Sequence, residues 1–283
     1  MITAASRDWL RWGTARVGCG VLIGVVGLGA GCNDPLFSTK ADGGTDGRLE
    51  AAPALAPGQV LVSQGGSQSI IGGHFTSSTQ CTEKSIGPCV LVECGGAPDA
   101  LASAGTLGFA GGLIPPGTQL VPRPSDNTYF TQFLNGPLFA PGDSITVSAS
   151  GAALPAFSRK VIAPEKVALT APDCTHLGSP TCGKFDQTQD LPVAWTGGSG
   201  TVDVMLSVSG GTIGSATMHC RLPAADGHGV IPVAALAALP RPDDLMVIGQ
   251  VAVSSATIDT FMEGSMPSEI QLHQIAVEGH FIF

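Results

Sequence analysis

The chain has 283 residues, of which 43% are apolar, with 13 Lys and Arg against 22 Asp and Glu. That is enough apolar material for one large domain or two of modest size, and too much for a disordered chain. A net charge of −9 on only 12% charged residues excludes a nucleic-acid-binding face and a polybasic membrane patch, and 39 Gly with 21 Pro favour turns over long helices.

Arg7, Arg11 and Arg16 precede an apolar run from Val17 to Leu28, and Gly29, Ala30 and Gly31 lead directly into Cys32. This is the order of an export signal. A membrane-spanning helix needs about 20 apolar residues, whereas Val17 to Gly31 supplies fifteen, with five glycines before Gly31 closes the run. The small-residue stretch ending in Cys32 resembles the lipobox of bacterial lipoproteins, with Gly29 where Leu is usual. The resemblance implies that Cys32 is lipidated on sulfur, with palmitate among its acyl chains, and becomes the mature N-terminus. An ordinary secretory signal cut near Ala30, leaving Cys32 as a disulfide partner, fits the same residues. Asn33 stands where the resemblance would place Asp in a protein held at the inner membrane, so the expected address is the outer membrane.

Removing residues 1–31 leaves 10 basic and 21 acidic residues, a net −11. Residues 32–58 mix Pro, Gly, Ala and charges without helical or strand periodicity, the composition of a flexible tether. Some 25 residues of that kind span about 25–30 Å. Asp42 and Asp46-Gly47 lack the alternate-position oxygens of a calcium loop and read as solvated linker.

Beyond the tether, short alternating runs recur between turn residues. The first set is Val60–Ser63, Ser69–Phe75, Cys89–Cys94, Thr118–Val121, Tyr129–Leu134, Ser144–Ser150 and Phe157–Ala163. The second is Val167–Thr170, Leu191–Trp195, Val202–Val208, Ala216–Leu222, Met246–Ser254 and Gln271–Phe283. Val202, Val204, Leu206 and Val208 are expected inward, with Asp203, Met205 and Ser207 outward. Pro232 to Pro240 encloses Val233, Leu236 and Leu239 at helical spacing, so one short helix is expected there. A boundary near Pro164 then gives an all-β chain of two immunoglobulin-like β-sandwich domains, residues 59–164 and 165–283. The spacing of Trp195 and Cys220 lacks the hallmarks of a true immunoglobulin domain, so the expectation concerns architecture.

Asp190–Gly200, Cys220–Pro223, Gly229–Pro232, Pro137–Val147 and Pro155–Phe157 resemble segments of a loosely defined group of bacterial envelope lipoproteins. The resemblance implies β-sandwich modules on a lipid tether and brings no activity with it.

Six cysteines remain beyond Cys19 and Cys32, an even number behind an export signal, so disulfides are expected. Cys81 with Cys89 and Cys174 with Cys182 enclose Gly and Pro turn formers and are expected as local bridges. Cys94 and Cys220 are either buried thiols or a third bridge. His219 adjoins Cys220, but no paired CxxC or HxxxH spacing accompanies them, so no metal site and no cofactor is expected. His74, His176, His228, His273 and His280 are scattered singly and read as surface or half-buried strand residues.

No GxSxG, SxxK, P-loop or dinucleotide motif occurs in the mature chain. Gly198-Ser199-Gly200 reads as a hairpin turn between Trp195 and Val202, and Asp243-Asp244 as solvated loop acids. The final run, with Ile275, Val277, Phe281 and Phe283 on one face, is similar to the insertion signal of outer-membrane barrels. One Tyr and a single Trp outside the leader cannot build two aromatic girdles, and core packing explains the same residues. The expectation is a non-enzymatic, lipid-anchored envelope protein in a structural, adhesion or binding role. It would hold the membrane through its N-terminal lipid and meet an envelope protein or polysaccharide, with no nucleic acid. The alternative is a secreted hydrolase or carbohydrate-active module whose site makes no sequence motif.

Overall fold

A half-buried strand alternates apolar and hydroxyl side chains. Ser144–Ala149 does so with Ile145, Val147 and Ala149 in a core. The computed structural model describes residues 58–65, 68–76, 81–94, 101–174, 181–209, 215–240 and 248–282. Cys32, the leader, the tether, His176, Asp243-Asp244 and the side chains of Cys81 and Cys94 lie outside the described residues.

The described chain is all-β with one short helix. Its strands are β1 (Gly58–Gly65), β2 (Gln68–Phe75), β3 (Cys81–Ile86), β4 (Cys89–Cys94), β5 (Leu107–Ala110), β6 (Gln119–Leu120), β7 (Gln132–Asn135), β8 (Ser144–Ala149) and β9 (Phe157–Ile162). There follow β10 (Val167–Ala171), β11 (Thr181–Lys184), β12 (Leu191–Gly197), β13 (Thr201–Ser209), β14 (Ser215–Pro223), β15 (His228–Ile231), α1 (Val233–Leu236), β16 (Ile248–Glu263) and β17 (Met266–Ile282). The helix forms where expected: Asp190 Oδ1 accepts from the Val233 N–H at 2.7 Å, and Leu236 and Leu239 are buried while Val233 is not.

One ten-stranded sheet runs in the order β3-β4-β14-β13-β16-β17-β1-β2-β7, with β11 added in parallel to β17. Its backbone is the long hairpin β16–β17, and β1 lies parallel to β17. A four-stranded sheet (β6-β5-β8-β9) and a three-stranded sheet (β10-β12-β15) complete the fold. Each pairs with part of the large sheet in a sandwich-like arrangement. Val60, Val62, Phe75, Ile270 and Leu272 of the large sheet share one core with Leu107, Phe109, Ile145, Val147 and Val161 of the four-stranded sheet. Val204, Leu206, Met218, Cys220, Val253 and Phe281 share the other with Val167, Val193, Trp195, Ile231 and Leu236.

There are therefore two cores, but neither is built from one contiguous half of the chain. Strand β1 pairs with β17 and carries β2 on its other side, and β4 pairs with β14, so residues from both sides of Pro164 meet in one sheet. Two local readings also change. Gly198-Ser199-Gly200 is not a hairpin turn: β12 and β13 belong to different sheets, and the segment carries the chain from one to the other, with Gly197, Gly198 and Gly200 at positive φ. Ile275 and Val277 do not share a face, because the β16–β17 register shifts at Val253/Ser254. Val253 then pairs with Val277 while Ser254 pairs with Ile275.

Candidate functional site: the polar interior of the large sheet

The middle of the second face of the large sheet is also buried. Asp203, expected outward, is 3% exposed, and Gln59, Glu269 and Gln271 are each 0% exposed. Register puts these groups on one face. Asp203 pairs with Arg221 on one side and Ser254 on the other, and Met205 pairs with His219. Across β17, Gln59 pairs with Glu269 and Ser63 with His273. Gln59 also pairs with His74 on β2. Leu61, Ile70, Val90 and Val92 are buried but belong to neither apolar core, and they supply the apolar remainder of this face.

The burial has a geometric cause. Strands lie about 4.8 Å apart, so in a flat sheet β14 and β17 would be roughly 14 Å apart and β3 and β17 roughly 24 Å apart. The Arg221 guanidinium on β14 and the Glu83 carboxylate on β3 nonetheless both act on the protonation of Glu269 on β17. That reach, together with the burial of Gln59, Asp203, Glu269 and Gln271, implies that the sheet curves toward its polar face.

Along β17 the polar groups form a directed chain. Gln271 Nε2 donates to Glu269 Oε1 at 2.7 Å, which turns Gln271 Oε1 toward His273 Nε2 at 2.8 Å. The His273 proton therefore sits on Nε2, and Nδ1 accepts from the Ser254 hydroxyl at 2.9 Å. Beside this chain, His219 Nδ1 lies 3.8 Å from Asp203 Oδ2.

Electrostatics follow from burial first and neighbours second. Burial pulls the His273 imidazole down to about 4 and that of His74 to about 4. It also lowers His219, against the pull of Asp203, and lowers the Arg221 guanidinium, against Asp203 and Glu269. Glu269 is pushed well above the carboxylate range by burial, only partly offset by Arg221 and Gln271. Burial pushes Asp203 the same way, but His219, Arg221 and His273 together outweigh it and hold the carboxyl low. Burial thus favours the neutral form of the imidazoles and of Glu269, while Asp203 is held toward its charged form with the Arg221 guanidinium among the groups that act on it. Both amide atoms of Gln59, Asp203 Oδ1 and Glu269 Oε2 have no hydrogen-bond partner among the described residues.

A serine hydroxyl donating to an imidazole is the chemistry of an activated nucleophile. Here Ser254 is 5% and His273 8% exposed, and the third member is the amide of Gln271 where a triad has a carboxylate. The arrangement suits holding β16 and β17 in one register more than meeting a substrate. No sequence motif marks these residues. The signal that was present is the period-2 polar set Glu269, Gln271, His273 opposite the period-2 apolar set Ile270, Leu272 on the same strand.

The cysteines are placed differently from the local pairing expected. Cys89 bonds to Cys220, its direct partner across β4 and β14, and not to Cys81. Cys89 faces the second core together with Leu91, and strand pairing brings Cys220 opposite it over a sequence separation of 131. Cys174 bonds to Cys182, the local pair the turn residues suggest. Among the described residues no group of three or more His, Cys, Asp or Glu is arranged to hold a metal ion. No helix among them is long and apolar enough to cross a membrane. No protein-family model matches the chain, and no curated protein matches it significantly.

Proposed function

We propose that the chain is an exported, lipid-anchored cell-envelope protein, held at the outer membrane through Cys32, whose sandwiches act as immunoglobulin-like modules in a non-enzymatic binding or scaffolding role. The observation that carries the reading is the pair of buried disulfides, Cys89–Cys220 and Cys174–Cys182, in one core. Such bonds persist in oxidising compartments, in keeping with the export signal ahead of Cys32. The covered Ser254 and His273 support a role without catalysis, and specificity would rest in loops at the ends of the sandwiches. An envelope protein or polysaccharide is the partner class. The test is incorporation of labelled palmitate and membrane fractionation, with and without Cys32→Ala. Label and membrane association that vanish in the variant support the reading; an unlabelled, soluble protein with Cys32 intact overturns the anchor.

A second reading, a secreted hydrolase, is favoured by one observation, the directed chain from Ser254 through His273 and Gln271 to Glu269. It requires the curved sheet to open far enough for a substrate to reach the Ser254 oxygen.

A further inference from the structure

The disulfide between Cys89 and Cys220 joins two residues that are direct register partners on adjacent antiparallel strands, with Cα atoms 4.0 Å apart. Direct partners in such a ladder have Cα atoms about 4.5–5.5 Å apart, and disulfides bridge Cα separations of about 4.4–6.8 Å. Register alone therefore decides which cysteines come within bonding reach. In the same ribbon, one strand further out, Cys81 and Cys94 are also direct partners, at the end of the β3–β4 ladder opposite its Gly87-Pro88 turn. The two bonds already present use Cys89, Cys220, Cys174 and Cys182. Of the six cysteines that follow Cys32, these two remain.

We propose that Cys81 and Cys94 form a third, cross-strand disulfide that fastens the end strand of the large sheet. The proposal rests on the export reading, since an oxidising compartment is needed. The two thiols lose two protons and two electrons as the S–S bond forms. The electrons reduce the disulfide of an exported thiol–disulfide oxidoreductase to its dithiol, through a mixed disulfide with one of the two cysteines. Among the described residues strand β3 has one ladder neighbour, β4, and Thr82 to Ser85 are exposed. Such an end strand is the part of a sheet most open to peeling or to pairing with another chain. With Cys81 joined to Cys94 and Cys89 to Cys220, three consecutive strands, β3, β4 and β14, become covalently continuous.

The experiment uses the full chain purified from bacterial envelopes, alkylated under denaturing conditions without reductant and digested at Lys and Glu. Cleavage after Glu83 or Lys84 and after Glu93 separates Cys81, Cys89 and Cys94 onto different peptides. The expected product is a linked pair of the Cys81 peptide and the peptide beginning at Cys94. Alkylated Cys81 and Cys94 beside intact Cys89–Cys220 and Cys174–Cys182, or a link of either residue elsewhere, overturns the proposal alone. Alkylation at all six cysteines overturns it together with the export reading. Cys81→Ser with Cys94→Ser is expected to speed amide exchange over Thr82–Ile86 on the order of tenfold while β13 and β16 stay unchanged. Equal exchange would refute the fastening role.

Discussion

His273 gives the polar interior a measurable pH dependence. Its imidazole is buried between Ser254 and Gln271 and is lowered from 6.5 to about 4 by burial. A group whose folded-state value lies below its unfolded one contributes its full share above the unfolded value and loses it as pH falls through the folded one. The window here runs from about pH 6.5 down to about 4. At about 1.4 kcal/mol per pH unit, the shift amounts to about 3 kcal/mol lost across that window. Glu269, raised by burial, runs the other way, favouring the fold at low pH and losing that contribution as pH rises through its folded-state value. Comparing wild type with His273→Gln removes most of this background. Urea unfolding at fixed pH values from 7.5 to 4 is the assay. The variant is expected to be less stable at pH 7.5, where it lacks the two imidazole hydrogen bonds, and the gap should close by about 3 kcal/mol by pH 4. A gap that stays constant over this range would refute a neutral, desolvated His273.

Other perturbations test other parts of the fold. Gly249 faces Phe281, and a Cβ there would lie 2.2 Å from the ring, which is stacked on Phe185 at 4.9 Å. Gly249→Ala should cost about 1–3 kcal/mol or more by overpacking, read as a lower urea midpoint; an unchanged midpoint would deny the contact. Gln64 accepts from the Leu138 and Phe139 N–H groups at 2.7 and 3.0 Å and donates to the Phe139 carbonyl at 2.9 Å. Gln64→Leu strands those buried backbone groups and should cost about 2–5 kcal/mol in the same assay. Arg159 makes two bonds to Asp259 at 2.8 and 2.9 Å and covers the Phe261 ring, but its side chain is 41% exposed. Arg159→Ala should therefore cost less than about 1 kcal/mol, and a loss several times larger would mean that the pair is more desolvated than its exposure indicates.

Strand positions were legible where alternation was clean. Ser144–Ala149 and Val202–Val208 show it, and both become strands with the expected apolar faces in cores. Strand β3 was missed because Thr82-Glu83-Lys84-Ser85 has no apolar alternation; it exists through its ladder to β4. The expected strand ending at Ser254 runs on to Glu263, since Ser255, Thr257 and Asp259 look like a turn in sequence yet pair with Gln274, Leu272 and Ile270. The outward reading of Asp203 failed for a different reason. Alternation tells which residues share a face, but whether the polar face meets water depends on long-range curvature, and nothing local in Asp203, Met205 and Ser207 encodes the curving of a ten-stranded sheet. The Cys81–Cys89 expectation rested on a short, turn-rich interval. The bond goes instead to Cys220, because strand order sets Cys220 beside Cys89.

The account turns on whether the interior that holds Ser254 and His273 is closed. A fluorophosphonate probe, incubated with the mature protein at pH 7.5 and followed by mass spectrometry, asks this most directly, because it reacts with a serine hydroxyl only when that oxygen is both activated and reachable. The closed, non-enzymatic interior predicts no adduct on Ser254 in the folded protein. Stoichiometric labelling of Ser254 that disappears in His273→Gln would contradict it and establish the hydrolase reading.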